Sequence, residues 1–208
     1  MTELYVLGWD TMVESISKLP LEEKIEVLNF MKKDLHEISP FKAEPVDCVV
    51  WVKQSEITAN DYNPNKVAPP ELELLKQSIL SDGYTQPIVG WKKESGCEVI
   101  DGFHRNLVAK QEAQITERIH GYLPVAFVNE VGEEKSNRMA STIRHNRARG
   151  THSIDLMSNI VGELTKAGMS DAWILKHIGM DRDELLRLKQ ITGLADLFKD
   201  KDFSPFHE

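Results

Sequence analysis

Near the N-terminus, apolar residues recur at helical spacing. Met12, Val13, Ile16 and Leu19 form one group, Ile25, Leu28, Met31 and Leu35 a second, and Pro20 divides them. A three-to-four-residue period marks one face of a helix, and proline is tolerated at a helix start. The pattern therefore predicts a helical hairpin or a kinked helix over residues 10–37. Such an arm either docks a partner or packs on the rest of the chain. Beyond the linker Ser39–Pro45 the period changes. Val46–Val52 is rich in β-branched and aromatic residues and reads as a buried strand. Ala59–Pro70 holds Asn63-Pro64-Asn65 and Pro69-Pro70 and reads as a loop. Leu72, Leu75 and Ile79 predict a helix over Glu71–Leu80 that stops at Asp82-Gly83. Gln86–Val89 and Cys97–Ile100 read as short strands joined through a turn at Glu94–Gly96. A helix from Asn106 to about Gln114 and a strand over Leu123–Val128 follow.

Strands and helices alternate in this middle part. From about residue 134 the pattern is helical only, over Ser136–Asn146, Ser153–Lys166, Ser170–His177 and Asp181–Ile191, with Gly168 and Gly179 at the turns. Helix, short glycine turn, helix is a helix-turn-helix outline. The expected class is α+β: a helical arm over residues 1–38, a small mixed α/β domain over 46–133, and a helical domain with a C-terminal tail over 134–208.

Composition narrows the picture. The chain has 208 residues, 41% of them hydrophobic and 28% charged, which suits a globular protein. No apolar run is long enough to span a membrane, and the opening Met1-Thr2-Glu3-Leu4 has no basic, then apolar, leader pattern. The expected location is the cytoplasm. Cys48 and Cys97 are far apart and lack metal-ligand spacing, so both are expected as free, buried thiols. A dedicated DNA coater is usually basic, whereas the net charge here is -8; attraction to phosphate would have to come from a local patch.

Two segments carry candidate chemistry. Asp101-Gly102-Phe103-His104-Arg105 follows a predicted strand and opens a predicted helix. The first N–H groups of a helix have no partner within it, and the helix dipole favours an anion there. Gly102 lets the backbone approach a ligand, Arg105 offers a planar fork of donors, and His104 a titratable one. The bland alternative is an ordinary glycine turn. The second segment gathers Arg138, Arg144, Arg147 and Arg149 with His145 and His152 around Asn146, the most basic part of an acidic chain. Arginine suits bidentate contact with phosphate or carboxylate. The alternative is a solvated helix face paired with surplus acids.

Taken in order, these motifs resemble the ParB/sulfiredoxin superfamily from about Val46 to Gly193. Asn63-Pro64, a helix, then Gly83-Tyr84-Thr85-Gln86-Pro87-Ile88-Val89 resembles the first ParB nucleotide motif. Asp101–Arg105 resembles the second, and His145-Asn146-Arg147-Ala148-Arg149 the third. The chain is most similar to the IbrB-like subgroup, co-activators of prophage gene expression encoded beside an IbrA-like partner that resembles phosphoadenosine phosphosulfate (PAPS) reductases. The resemblance implies a nucleotide site for ATP, ADP or CTP with Mg2+. Phosphates would lie at Gly102, Phe103, His104 and Arg105. Thr85, Gln86 and Pro87 would contact base, sugar or phosphate, and Arg144, Arg147 and Arg149 would reach phosphate. Asn146, with Asp101, would hold the metal. Asp101, His104 and Arg105 are the candidate catalytic residues, and the chemistry implied is hydrolysis or transfer of a phosphoryl group.

Departures from the resemblance matter as well. Sulfiredoxins carry a reactive cysteine where this chain has Phe103, which excludes sulfinic acid reduction. His145 replaces a glutamate, and histidine is a poor ligand for a hard cation. The Asp-Gly-x-His-Arg form is similar to the ADP-dependent serine kinase branch, which keeps small-molecule kinase chemistry open. The second helix of the helix-turn-helix begins Asp181-Arg182-Asp183-Glu184 and sets acids where base-reading residues would sit. Three readings therefore stand: a nucleotide-binding switch or NTPase acting with a partner, homodimeric or not; a DNA-binding transcriptional regulator; and, weakest, a nuclease. Phe203-Ser204-Pro205-Phe206 reads as a docking tail or as a segment packed back on the helices.

Overall fold

A computed structural model describes residues 3–59, 69–129, 140–143 and 154–198. The predicted hairpin is present as α1 (Glu3–Ser17) and α2 (Leu21–Glu37), with Pro20 at the α2 start and Glu22 and Glu23 in its first turn. Acids there complement the helix dipole. A short 3-10 turn, Pro45–Asp47, leads into β1 (Val49–Lys53).

The mixed part is a five-stranded sheet in the order β1-β5-β3-β4-β2. Its other strands are β2 (Ile57–Thr58), β3 (Ile88–Lys92), β4 (Cys97–Asp101) and β5 (Tyr122–Phe127). β1 pairs antiparallel with β5, β3 parallel with β5, β3 antiparallel with β4, and β2 parallel with β4. Every residue of β4 is buried, which explains why its sequence lacks an apolar–polar alternation. Three helices accompany the sheet: α3 (Pro69–Asp82), α4 (Phe103–Gln111) and α5 (Ala113–Arg118). Ile79, Ile88, Val99, Val108, Ile115 and Leu123 form the centre of this core. β3 and β4 approach so closely that a Cβ on Gly90 would lie 2.1 Å from Cys97 Sγ. Burial pushes the Cys97 thiol up to about 12, so it stays protonated.

The helical part has its own core. Residues 140–143 are helical, followed by α6 (Ile154–Lys166), α7 (Asp171–Ile174) and α8 (Arg182–Phe198). Met157, Val161, Leu164, Ile174, Ile178 and Leu188 pack together. Ser170 caps α7, its hydroxyl accepting from Trp173 N at 3.2 Å. Asp181 caps α8, its Oδ1 accepting from Glu184 N at 2.7 Å. The helix-turn-helix outline and the α+β class are therefore both present.

Several expectations need correction at the level of elements. The strand expected from Gln86 begins at Ile88, because Pro87 has no N–H for a ladder. The helix expected from Asn106 begins at Phe103, and it breaks at Glu112 so that α5 is separate. The two-residue strand β2 was not foreseen; it is too short to show a period. The helix expected over Ser170–His177 is one α turn that widens into a π-helical turn over Leu175–Gly179. Cys97 is buried as expected, but Cys48 is only half-buried. Asn63-Pro64, Arg138, the segment from Arg144 to His152 and the tail at Phe203–Phe206 lie outside the described residues.

The arm meets the sheet in an unforeseen way. No residue of α2 is fully buried. Polar contacts to the outer edge of β1 hold it instead. Asn29 Nδ2 donates to Trp51 O at 2.7 Å, and Asn29 Oδ1 accepts from Trp51 N at 2.9 Å. Lys32 Nζ donates to Val49 O at 3.0 Å, and His36 Nδ1 lies 2.6 Å from Asp47 Oδ2. α2 thus takes the place of a sixth strand and covers an edge that would otherwise pair with another chain.

Candidate functional site

β4 leads straight into α4 through Gly102, which has φ +89 and caps the helix without a side-chain hydrogen bond. An L-residue at that φ is strained. The glycine also leaves room for Arg105 to fold back over the turn: a Cβ on Gly102 would stand 2.8 Å from Arg105 Nη2. The guanidinium is fixed there by specific partners. Nη1 donates to Gln86 Oε1 at 2.7 Å and Nη2 to Pro87 O at 3.2 Å. Nη2 also lies 3.6 Å from Asp101 Oδ2, with both side chains largely buried.

The backbone of the same residue is held from the other side. Tyr84 Oη donates to Arg105 O at 3.0 Å. Burial pushes the Tyr84 phenol up to about 12, so it remains a donor at neutral pH. The 84–87 segment is therefore stapled to the first turn of α4 by the main chain and the side chain of one arginine. Just before this segment, Arg118 on α5 donates to carbonyls in the last turn of α3, Leu80 O at 2.9 Å and Ile79 O at 2.6 Å. Tyr84 and Arg118 were not among the expected site residues. The signal for Tyr84 was present: a hydroxyl-bearing aromatic directly before Thr85-Gln86-Pro87.

The described part of the expected site is thus brought together. Asp101, Gly102, Phe103, His104 and Arg105 form the turn and first helical residues, with Gln86 and Pro87 against them. Thr85 and Gln86 are exposed, while Gly102, Phe103 and His104 are half-buried. His104 packs edge-on to Phe103 with ring centres 5.3 Å apart. Burial holds its imidazole below the ordinary histidine value, so at neutral pH it is uncharged. Arg144, Asn146, Arg147 and Arg149 lie outside the described residues.

Mg2+ takes a near-octahedral set of oxygen ligands. Among the described residues no group of three or more His, Cys, Asp or Glu converges. The carboxylate at the turn, Asp101, is directed at the Arg105 guanidinium. The described residues therefore do not by themselves fit a resident divalent cation.

The helical domain offers a second surface. A groove of about 450 Å3 runs between α7 and α8, lined among others by Ala172, Leu175, Arg182, Asp183 and Leu186. Lys189 of α8 is tied to Asp171 of α7 across it. Leu186, in the lining of this groove, is 57% exposed.

Comparison with known proteins agrees with these features. Residues 152–200 match the family described as the IbrB-like C-terminal HTH domain. YbdM, an uncharacterized protein of Escherichia coli strain K12, is 48% identical over 194 residues, 93% of this chain and 91% of the relative. The chain belongs to the YbdM family, and its C-terminal part is IbrB-like. Solved structures match at low identity and low TM-score. The C-terminally truncated chromosome-partitioning protein ParB of Caulobacter crescentus complexed with CTP-gamma-S is 18% identical, with 73% of this chain and 82% of that one covered and a TM-score of 0.39. The same protein complexed to the centromeric parS site gives 16%, 72%, 74% and 0.46. A Pnob8-like ParB-N domain gives 13%, 69%, 62% and 0.45. At these scores the likeness says nothing of ligand or partner. No described helix is long and apolar enough to cross a membrane.

Proposed function

We propose that this protein is a nucleotide-responsive regulator in which the Gly102 turn receives the phosphates of a nucleoside di- or triphosphate. One observation carries the reading. An α-helix start with no side-chain cap opens directly from a central strand, and its first turn is braced to the 84–87 segment through Arg105. Uncapped N–H groups at a helix start, with a cation fixed beside them, suit an anion. Phosphate would draw the guanidinium off Gln86 and Pro87, loosening the staple between α4 and the 84–87 segment. Binding would then change a tertiary contact, as a switch requires. His104, uncharged at neutral pH, is a donor that gains charge on phosphate binding.

The expected arginines at 144, 147 and 149 belong to this proposal, and so does the metal set of Asn146 with Asp101, which would require the Arg105 guanidinium to leave the Asp101 carboxylate first. The described residues support binding more directly than cleavage, since Asp101 faces Arg105 and not an open site. An IbrA-like, PAPS-reductase-like protein and prophage gene control or defence complete the proposal as partner and setting.

The test uses purified protein, each common nucleotide with and without Mg2+, and calorimetry alongside phosphate release. Arg105→Ala and Gly102→Ala should each lose binding. Unchanged affinity in a folded Arg105→Ala protein would sink the assignment.

A second reading is DNA binding by α8. Arg182 and Arg187 stand exposed on a helix that is properly capped and packed. Asp183 beside them weakens attraction to a phosphate backbone. The affinity for duplex DNA, measured across salt concentration, decides this: a flat line would exclude phosphate contacts.

A further inference from the structure

The arm carries an apolar face that lies apart from both surfaces above. α2 turns Asn29, Lys32 and His36 toward β1. Leu21, Leu28 and Leu35 recur every seven residues and share a different face, about 100° round the helix from Asn29. They are 45%, 42% and 56% exposed. Half-buried Val27 and Met31 lie about 160–200° round the helix from Asn29, on the flank that β1 leaves for α1. On α1, Met12 and Ile16 are half-buried, while Trp9 and Val13, one turn apart, are 54% and 45% exposed. In an antiparallel hairpin of right-handed helices, the Trp9–Val13 flank falls on the same side as the leucine stripe. The two helices therefore present one continuous apolar surface.

Its size indicates what it takes. With roughly 250 Å2 for a whole Trp and the lower end of the aromatic range, about 150 Å2, for Leu and Val, the five exposures sum to about 400 Å2 of open, mostly apolar area. A standard protein interface buries about 800 Å2 on each partner, of which somewhat over half, about 450 Å2, is apolar. The face has the dimensions of one half of a stable interface.

We propose that its occupant is a second copy of this chain, with α2 packed antiparallel on α2 about a two-fold axis at Leu28. The stripe is symmetric about that residue. Leu21 of one copy meets Leu35 of the other, and Leu28 meets Leu28, so the face is its own complement, as a closed two-fold contact demands. Lys24 and Lys32 flank the stripe and would face each other across the axis. Their ammonium groups are drawn away, to Ser17 O at 2.9 Å and Val49 O at 3.0 Å, leaving only the apolar stems beside the seam.

The experiment is sedimentation equilibrium on the full chain and two charge variants, with cysteine cross-linking beside it. The parent should be a dimer. Leu28→Glu sets two like charges against each other at the axis and should raise the dissociation constant at least about tenfold. Phe30→Glu, at a 63% exposed position on the opposite side of α2, should leave it unchanged. In a Cys48→Ser background, Leu28→Cys should give a disulfide-linked dimer on mild oxidation. Leu21→Cys should cross-link only when mixed with Leu35→Cys. Circular dichroism confirms that each variant is folded, which the exposure of these positions allows. A monomeric parent, equal loss in Leu28→Glu and Phe30→Glu, or self-linking of Leu21→Cys would each overturn the proposal. So would a monomeric parent that captures a different protein through Leu28, since the face would then belong to that partner.

Discussion

Asn29 and Trp51 are joined by a two-way contact: the asparagine amide donates to the tryptophan carbonyl and accepts from its N–H, at 2.7 and 2.9 Å. A single side chain thereby does for the outer edge of β1 what a neighbouring strand would do. Each such bond contributes on the order of 1 kcal/mol, and orphaning the half-buried groups of Trp51 costs more. Asn29→Ala should destabilise the fold by about 2 kcal/mol and release the arm from the edge. Amide exchange at Trp51 reads this directly. Protection equal to the parent's would show that the edge is covered by other means. Asn29→Asp should behave nearly as badly, because it keeps the acceptor but sets a carboxylate against the Trp51 carbonyl.

The Gly90–Cys97 approach predicts a coupled pair. Gly90→Ala drives a methyl to within 2.1 Å of Cys97 Sγ, inside a fully buried layer. Overpacking of this kind costs about 1–3 kcal/mol. Removing the sulfur should relieve most of it, so Gly90→Ala with Cys97→Ala should be less unstable than the sum of the two changes. Urea denaturation of all four proteins closes the cycle, and strict additivity would contradict the packing described.

Gly102→Ala should combine backbone and side-chain effects. The left-handed φ costs about 1 kcal/mol for alanine, and the new Cβ displaces the Arg105 guanidinium. Thermal stability should fall modestly, while any nucleotide binding should fall far more. Loss of stability with intact binding would separate the turn from ligand recognition.

The pH dependence of His104 has a definite sign. Burial lowers its folded-state value below the ordinary 6.5. The unfolded chain then binds more protons in the window below that value, so stability is fully present above about pH 6.5 and is lost as pH falls through the folded value. A phosphate at the turn would favour the imidazolium and take up a proton. Nucleotide affinity should therefore rise as pH falls from 8 to 6, opposite to the trend in stability. His104→Asn should flatten both curves. Titration of affinity across that range checks it, and a slope unaffected by the substitution would assign the proton elsewhere.

The tie between α2 and the 3-10 turn has a different pH signature. The His36 contact holds the Asp47 carboxyl below its ordinary 3.8. A depressed carboxyl contributes above its unfolded value and is lost as pH falls through the folded one. The contribution should persist down to about pH 4 and vanish below it. Proteolysis of the Ser39–Glu44 linker, followed against pH in the parent and in His36→Ala, measures it.

How legible the molecule was differs between its parts. The hairpin divided at Pro20, the alternation of strands and helices, and the helix-turn-helix followed from periodicity and capping residues, because those depend on neighbours three or four positions away. β2 escaped notice because two residues carry no period. Cysteine is a residue type that is often buried, but the place of Cys48 directly after the exposed 3-10 turn leaves it half-open. The chemistry at Asp101–Arg105 was recognisable as a glycine turn opening a helix. That Arg105 is already engaged by Gln86, Pro87 and Asp101 was not, since those partners are brought by β3 and its preceding segment.

By itself, then, the sequence determined the local elements and the glycine turn that opens a helix at Asp101–Arg105, all properties of short-range sterics and hydrogen bonding. Only the tertiary structure decided that α2 closes the β1 edge through Asn29 with no buried residue, and that Tyr84 and Arg105 staple two segments about 20 residues apart. It also decided that the leucine stripe of the arm faces outward. The reason is physical: a periodic apolar pattern says that a face wants cover, but which atoms supply it depends on contacts between elements distant in the chain.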